Sequence, residues 1–300
     1  MELRQLEILV AIADHGSVSR AAVSLNLSQP SLSRQVARLE DEVGQRLWVR
    51  NGRGVEPTAA GERLLEHARA VLESTRRAID ELRDMNESPA GRVTVGMPPR
   101  VALGMSVPLV QGFRQRFPRA VITVLEGLSL SLRESLVAGR LDLALLFDPL
   151  PSPQLACEPL MREPLLLVAP PGSRLPARAS LASLAEFPMV LPSAPNAIRG
   201  LLDKVLLPRG VALDVIAEVG AVQTVIALVA DGVGCTVLPA SALSAGAAAG
   251  KLPRAPIGPP TVWNSLVLAT PRARPGTRLT RETARLIRTL DFRKGPAAGA

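Results

Sequence analysis

The chain has 300 residues, 47% of them hydrophobic, with a formal net charge of +8 and two cysteines, a length that supports two or three domains, each with its own core. No apolar run reaches the roughly 18 to 20 residues needed to cross a bilayer, and the first residues lead straight into an amphipathic segment rather than a signal peptide, so a cytoplasmic protein without a membrane partner is expected. Cys157 and Cys235 have no paired spacing, which speaks against a disulfide framework or a zinc site and reads both as buried free thiols.

The net charge is not by itself a nucleic-acid signal. Residues 1–92 carry 13 Arg against 14 Asp and Glu, whereas residues 251–300 carry ten Lys and Arg against only Glu282 and Asp291, so the whole excess lies at the far end of the chain. What counts is local: Arg46, Arg50 and Arg53 fall between Val43 and Val55 with no acid among them. That makes a small positive tip.

In chain order, apolar residues at 6, 9, 10, 12 and 13 predict a helix that stops at Gly16, with Ser17 as N-cap of a second helix from Val18 to about Leu25. Leu25-Asn26-Leu27 reads as a tight turn, with Asn26 suited to the left-handed conformation. A third helix starts at the cap Ser28, tolerates Pro30 in its first turn and buries Leu32, Val36, Leu39 and Val43. Two short helices and a tight turn form a helix-turn-helix. The Asn51-Gly52-Arg53-Gly54 turn between two short apolar stretches predicts a two-stranded wing. Thr58 can cap a long helix in which Leu65, Ala68, Leu72, Thr75, Ile79 and Leu82, widened by Leu64, Val71, Ala78 and Met85, make a self-association seam that breaks at residues 86–91.

From Arg92 the pattern changes to short buried strands alternating with helices: strands at 92–97, 121–126 and 141–147, helices at 108–117 and 131–138. Strands near 165–168, 189–191, 215–219 and 236–238 with helices near 197–207 and 224–230 follow, then a strand at 266–269 and an arginine-rich helix at 280–290. This is an α/β domain with a largely parallel sheet expected.

These residues resemble the LysR-type transcriptional regulators over essentially the full length. The match lies in Ala21-Ala22, Ser28-Gln29-Pro30-Ser31-Leu32-Ser33, Leu39-Glu40, Gly44, Leu47, Arg50, Pro57-Thr58 and Gly61. Within the family, Val95-Gly96-Met97-Pro98-Pro99, Gly139-Arg140-Leu141-Asp142 and Gly234-Cys235-Thr236-Val237-Leu238-Pro239 look most like the subgroup of the nitrogen assimilation control protein. The resemblance implies a winged helix-turn-helix over 1–58, a dimerisation helix and hinge over 59–91, and a two-lobed effector domain, shaped like a periplasmic binding protein, over 92–300. Its first lobe is expected at about 92–161 and 269–300, its second at about 162–268. The resemblance also implies a homodimer or homotetramer, contact with RNA polymerase and a small-molecule effector, with no cofactor. Two positions depart from the family pattern: Trp48 stands where a phenylalanine is usual, and Arg100 where a hydroxyl residue is common.

With Leu32, Val36 and Leu39 turned inward, the hundred-degree helical step places Pro30, Ser33, Arg34, Ala37 and Arg38 on the outer face, led by Gln29. Gln can bond adenine and Arg guanine in a bidentate manner. Ser17, Ser28, Ser31 and Ser33 suit caps or phosphate contacts, and Arg50 and Arg53 suit phosphates or the minor groove; a solvated helix face is the alternative for each. A dimeric reader implies an operator that is an interrupted inverted repeat of double-stranded DNA. In the α/β domain, the predicted helix starts follow strand ends, where such sheets bind ligands. Pro99, Arg100, Val101, Ser129, Asn196, Arg199 and Thr224 are the effector candidates, and the two arginines beside helix N-termini favour an anion such as a carboxylate. The alternative is that Arg100 is neutralised by the protein's own acid, Asp148 or Glu126, leaving a self-closed, ligand-independent regulator.

Catalysis is disfavoured. Both histidines, His15 and His67, lie in the N-terminal helices, Gly232-Val233-Gly234 lacks the third glycine of a dinucleotide fingerprint, no Gly-Lys-Ser or Gly-Lys-Thr occurs, and Cys235 has no candidate base. An exported solute-binding protein would need a leader and would have no use for the first 58 residues.

Overall fold

The computed structural model describes residues 1–51, 54–84, 90–245, 251–273 and 276–292. They divide into two compact units, Met1–Glu87 with Ala138–Arg140, and Ser88–Val137 with Leu141–Ala300. Arg53, Met85 and most of the expected hinge, residues 86–89, lie outside the described residues.

In the first unit, α1 (Leu3–His15) buries Leu6, Leu9 and Ile12 at helical spacing and ends where Gly16 adopts φ 60°, a left-handed geometry that costs glycine nothing. The Ser17 hydroxyl accepts the Arg20 N–H at the start of α2 (Val18–Ser24), and Asn26 takes φ 54° in the turn, as expected. Ser28 likewise caps α3 (Gln29–Val43), with Pro30 in its first turn. Leu32 and Leu39 enter the core, whereas Val43, expected to be buried, is 37% exposed on the last turn of α3, where it is Glu40 that turns inward, to Arg46 and Leu47. β1 (Trp48–Asn51) and β2 (Gly54–Pro57) pair antiparallel as the wing, and α4 (Ala59–Asp84) follows.

The expected seam on α4 is only partly available for self-association. Leu65 and Ala68 are buried in a cluster with Leu6, Leu9, Leu39 and Leu47, and Leu64 and Leu72 pack against it. The reason is that α4 has to cover the open side of α1, and its first turns spend their apolar face there. Val71, Ala78 and Ile79 stay exposed. A charge at Leu72 would therefore disturb the fold and any dimer together.

The second unit starts with β3 (Gly91–Met97), α5 (Pro99–Arg116), β4 (Ala120–Glu126), α6 (Ser129–Val137) and β5 (Leu143–Phe147). α5 begins at Pro99, not at Pro108 as expected. Pro108 sits inside the helix, where the one backbone bond it removes is outweighed by burial of Val101, Ala102, Met105, Leu109 and Phe113. β6 (Leu155–Val168) then runs 14 residues without a break. Next come β7 (Pro188–Pro192), α7 (Ala197–Leu206), β8 (Asp214–Val219), α8 (Val222–Ala230), β9 (Thr236–Pro239) and β10 (Arg254–Pro256), before β11 (Trp263–Pro271) and α9 (Arg278–Arg288) return the chain.

The strand order β10-β6-β11-β5-β3-β4, with β9 also on β6, corrects the expectation of a largely parallel sheet. Among the described strands, β3 with β4, β3 with β5, and β7 with β8 pair parallel, and the strand pairings of β6 and β11 are antiparallel. These two long strands belong to both lobes at once. Leu155 of β6 is in a first-lobe cluster, whereas Leu165 and Leu167 are in the core of the second. Leu266 and Leu268 of β11, together with Leu279 and Ile287 of α9, close the first-lobe core. Strand alternation also turns Cys157 of β6 outward, so it is exposed rather than buried, while Cys235 is buried in the second lobe. Burial raises the pKa of the Cys235 thiol, and partial desolvation raises that of Cys157 against the opposing pull of Arg272 and Arg133.

Candidate functional site

The outer face of α3 carries Gln29, Pro30, Arg34, Ala37 and Arg38 in the open, with Ser31 and Ser33 half-buried at its edge. Among the described residues neither Arg34 nor Arg38 has an ion-pair partner. Their guanidinium groups are free to meet an external acceptor. Ser17 and Ser28 spend their oxygens as helix caps, on Arg20 N and Ser31 N, both at 3.4 Å. The Ser19 hydroxyl, which the sequence reading passed over, donates to Gln29 Oε1 at 3.1 Å. Arg50 lies on β1 of the wing.

Behind this face, several motif residues serve to position it. The Glu40 carboxylate accepts from Arg46 Nη1 at 2.7 Å and from the Leu47 N–H at 2.8 Å, tying the end of α3 to the wing. Thr58 donates through Oγ1 to the Arg46 carbonyl at 2.7 Å and accepts the Gly61 N–H at 3.0 Å, capping α4 as expected. Gly61 is there because a Cβ would lie 2.1 Å from the Leu47 carbonyl oxygen. Trp48, where the family pattern has phenylalanine, packs between both clusters of this unit, but its Nε1–H is buried without an acceptor. An unsatisfied buried donor costs about 1–3 kcal/mol, which offsets the larger ring's extra burial. Trp48→Phe is therefore expected to unfold within about 1 kcal/mol of the wild type in urea, and a loss above about 2 kcal/mol would show that Nε1 has a partner.

In the second unit, a cavity of about 560 Å³ opens where the helices α5, α6, α7 and α8 begin, within the size range of small-molecule sites. Its first-lobe wall includes Pro98, Pro99, Arg100, Leu103, Ser106, Glu126, Ser129 and Phe147; its second-lobe wall is Asn196–Ile198 and Gly220–Gln223. Of the residues expected here, Pro99, Arg100, Ser129 and Asn196 line it. Val101 points into the first-lobe core instead. Thr224 is exposed outside the lining, because α8 starts two residues earlier than expected, capped by Ala221 without a side-chain bond, and so presents Gln223. Glu126 and Phe147 could have been found from sequence as the last residues of β4 and β5. Ser129 and Asn196 already hold backbone N–H groups, those of Phe147 and Ile198, each at 2.9 Å.

Neither arginine is a free cation. Arg199 Nε bonds both carboxylate oxygens of Asp203, at 3.0 and 3.1 Å, and Nη1 pairs with Glu218; these two acids raise its pKa. Arg100 is paired with the protein's own acid, but that acid is Glu163 rather than Asp148 or Glu126. Its Nη1 meets Glu163 Oε1 at 2.8 Å and also the Ser241 hydroxyl, Nη2 meets Asn264 Oδ1 at 2.9 Å, and the guanidinium lies 4.3 Å from the centre of the Phe147 ring. Glu163 in turn accepts from Ser241 Oγ at 2.6 Å and Ser241 N at 3.1 Å, and Asn264 Nδ2 donates to Asp148 at 2.6 Å. Glu163 wins because β6 and β11 run together through the crossing, where Glu163 and Asn264 are register partners facing the start of α5. Burial lowers the Arg100 pKa, with Glu163 opposing it, and burial raises that of Asp148. Among the described residues no group of three or more His, Cys, Asp or Glu could hold a metal ion, and no helix is long and apolar enough to cross a membrane.

A winged helix-turn-helix in one unit and a two-lobed α/β unit with a cavity at its helix starts define the class of helix-turn-helix regulators that carry a separate binding domain. Family comparison is specific: residues 3–62 match the bacterial regulatory helix-turn-helix protein, lysR family, and residues 86–291 match the LysR substrate binding domain. The chain belongs to the LysR family of transcriptional regulators, a family of DNA-binding proteins and not of enzymes. It is 35% identical over 274 residues to the nitrogen assimilation regulatory protein nac of Klebsiella aerogenes, covering 89% of this chain and 88% of that protein. The Escherichia coli K12 protein of the same name is 36% identical over 246 residues, covering 81% and 79%. In fold, a full-length OxyR variant from Pseudomonas aeruginosa superposes with a TM-score of 0.78 at 24% identity, covering 100% and 99% of the two chains. Full-length CbnR complexed with its target DNA gives 0.67 at 23% identity, covering 96% and 99%.

Proposed function

We propose that this LysR-type regulator reads an interrupted inverted repeat in double-stranded DNA as a homodimer or higher homo-oligomer in the cytoplasm, and acts on RNA polymerase there. The observation that carries the DNA reading is the outer face of α3, where Gln29, Arg34 and Arg38 are exposed and neither arginine is ion-paired among the described residues, over a helix capped by Ser28. Ser17, Ser28, Ser31 and Ser33 border that face and Arg50 lies on a wing strand; these residues, with Arg53, are proposed to hold phosphates on either side of the groove. Among the described residues of the seam, Val71, Ala78 and Ile79 on α4 are exposed and open to a second copy. In the test, Arg34→Ala should weaken specific binding by about 1–3 kcal/mol and relax one base position. Equal losses on operator and random DNA would reduce Arg34 to a phosphate contact and leave the base reading without support.

For the second unit we propose a small effector in the cavity of about 560 Å³. With Arg100 and Arg199 both occupied by acids, a carboxylate would rest on backbone N–H groups at the starts of α5, α7 and α8 and not on a guanidinium clamp. The buried Arg100–Glu163 pair specifically favours a second reading. It ties α5 of the first lobe to Ser241 of the second, so a regulator whose lobes are set without a ligand fits it as well.

A further inference from the structure

Gln29 is the first residue of α3 and Ser19 the second of α2, and both side chains are exposed on the side of the helix-turn-helix that carries Arg34 and Arg38. A glutamine at the tip of a reading helix has three rotatable bonds and a carboxamide whose two ends differ only in hydrogen-bond sense. Left free, it samples many rotamers and pays the ordering cost when it binds. Here the Ser19 hydroxyl donates to Gln29 Oε1 at 3.1 Å. A hydroxyl both donates and accepts, so the bond restrains the position of the carboxamide against α2 rather than its sense, and it leaves an acceptor lone pair and Nε2 hydrogens for a base. One acceptor and one donor held side by side are the complement of the major-groove edge of adenine, which offers the N6 amino group beside N7.

Resting on the DNA reading proposed above, we infer that Ser19 is a positioning residue for sequence recognition: it holds the Gln29 carboxamide in place at the tip of α3 so that Gln29 reads an adenine. Ser17 and Ser28 are turned to the N–H groups of Arg20 and Ser31, and among the described residues neither is bonded to Gln29. Ser19 acts through Gln29 and is not required to touch a base.

The test is selection of binding sites from random double-stranded DNA by the full chain, carried out for the wild type, Gln29→Ala, Ser19→Ala and Ser19→Thr. Gln29→Ala is expected to erase an adenine preference at one position of each half-site. Ser19→Ala is expected to weaken that preference at the same position by about three- to tenfold, the share of the ordering cost that a pre-set side chain spares. Ser19→Thr, which keeps the hydroxyl, is expected to restore it. The inference is overturned if Ser19→Ala leaves the base frequencies as they were, if it alters other positions or all positions alike, or if the base lost in Gln29→Ala is not adenine. Failure of the underlying reading looks different: the wild type itself would then enrich no sequence.

Discussion

Glu163→Ala should destabilise the second unit by about 3–5 kcal/mol, because it strands the Arg100 guanidinium in a buried position with only neutral partners. Both side chains are nearly out of solvent, at 11% and 12% exposure, so little of this cost is screened away. Replacing both members, as Arg100→Met with Glu163→Leu, should recover most of it, since no buried charge is then left unpaired. Urea unfolding followed by Trp263 fluorescence in a Trp48→Phe background reads this unit alone, because the chain has two tryptophans and Trp263 begins β11, next to Asn264. A cost under about 1 kcal/mol would mean that water reaches Arg100 freely. The same variant separates the two readings of the cavity. If the pair keeps the cleft closed, Glu163→Ala should be stabilised by simple carboxylates, which then take the place of the lost acid, while the wild type is not; stabilisation of both alike points to binding at the helix starts.

Gly61→Ala should cost about 3 kcal/mol or more and abolish DNA binding. A Cβ there meets the Leu47 carbonyl oxygen at 2.1 Å, a backbone atom rather than a flexible side-chain tip, and that oxygen already accepts the Thr58 N–H at 3.0 Å. Relief requires α4 to lift away from the wing, which uncovers Leu65 and Ala68 and breaks the Thr58 cap. Trp48 fluorescence in a Trp263→Phe background, with urea as denaturant, follows this unit. Wild-type stability in Gly61→Ala would show that the close approach of α4 to Leu47 is dispensable.

The part of the DNA-reading face made of caps and turns was legible because its signals are local. Ser17, Ser28, Asn26 and Thr58 act on atoms within a few residues of themselves or on the adjoining segment, and a 3.6-residue period shows which side of α3 is left outside. Pro108 misled for the opposite reason: its local effect on a helix is unfavourable, and only the buried row from Val101 to Phe113 outweighs it. The α4 seam misled because an apolar stripe does not say what covers it, and α1 needed the first half.

In the second unit, strand ends and helix starts could be read one by one, and four of the seven expected lining residues do meet at the cavity. The loss of Val101, Arg199 and Thr224 from that set follows from small differences in helix phase and start, which a few residues of sequence do not resolve. Arg199 found Asp203 one turn away, a pairing visible in the sequence, but its second partner Glu218 came from another strand.

By itself the sequence determined the helix-turn-helix with its caps and the outward residues of α3, because those depend on contacts between near neighbours and on helical periodicity, and the motif from Ala21 to Gly61 pointed to the class of protein by resemblance. Only the tertiary structure decided which acid holds Arg100, that Ser19 reaches Gln29, and that β6 and β11 make the sheet mixed. Glu163, Ser241 and Asn264 lie 63, 141 and 164 residues from Arg100. No local signal reports such a meeting, since it is set by which strands lie side by side where the chain crosses between lobes.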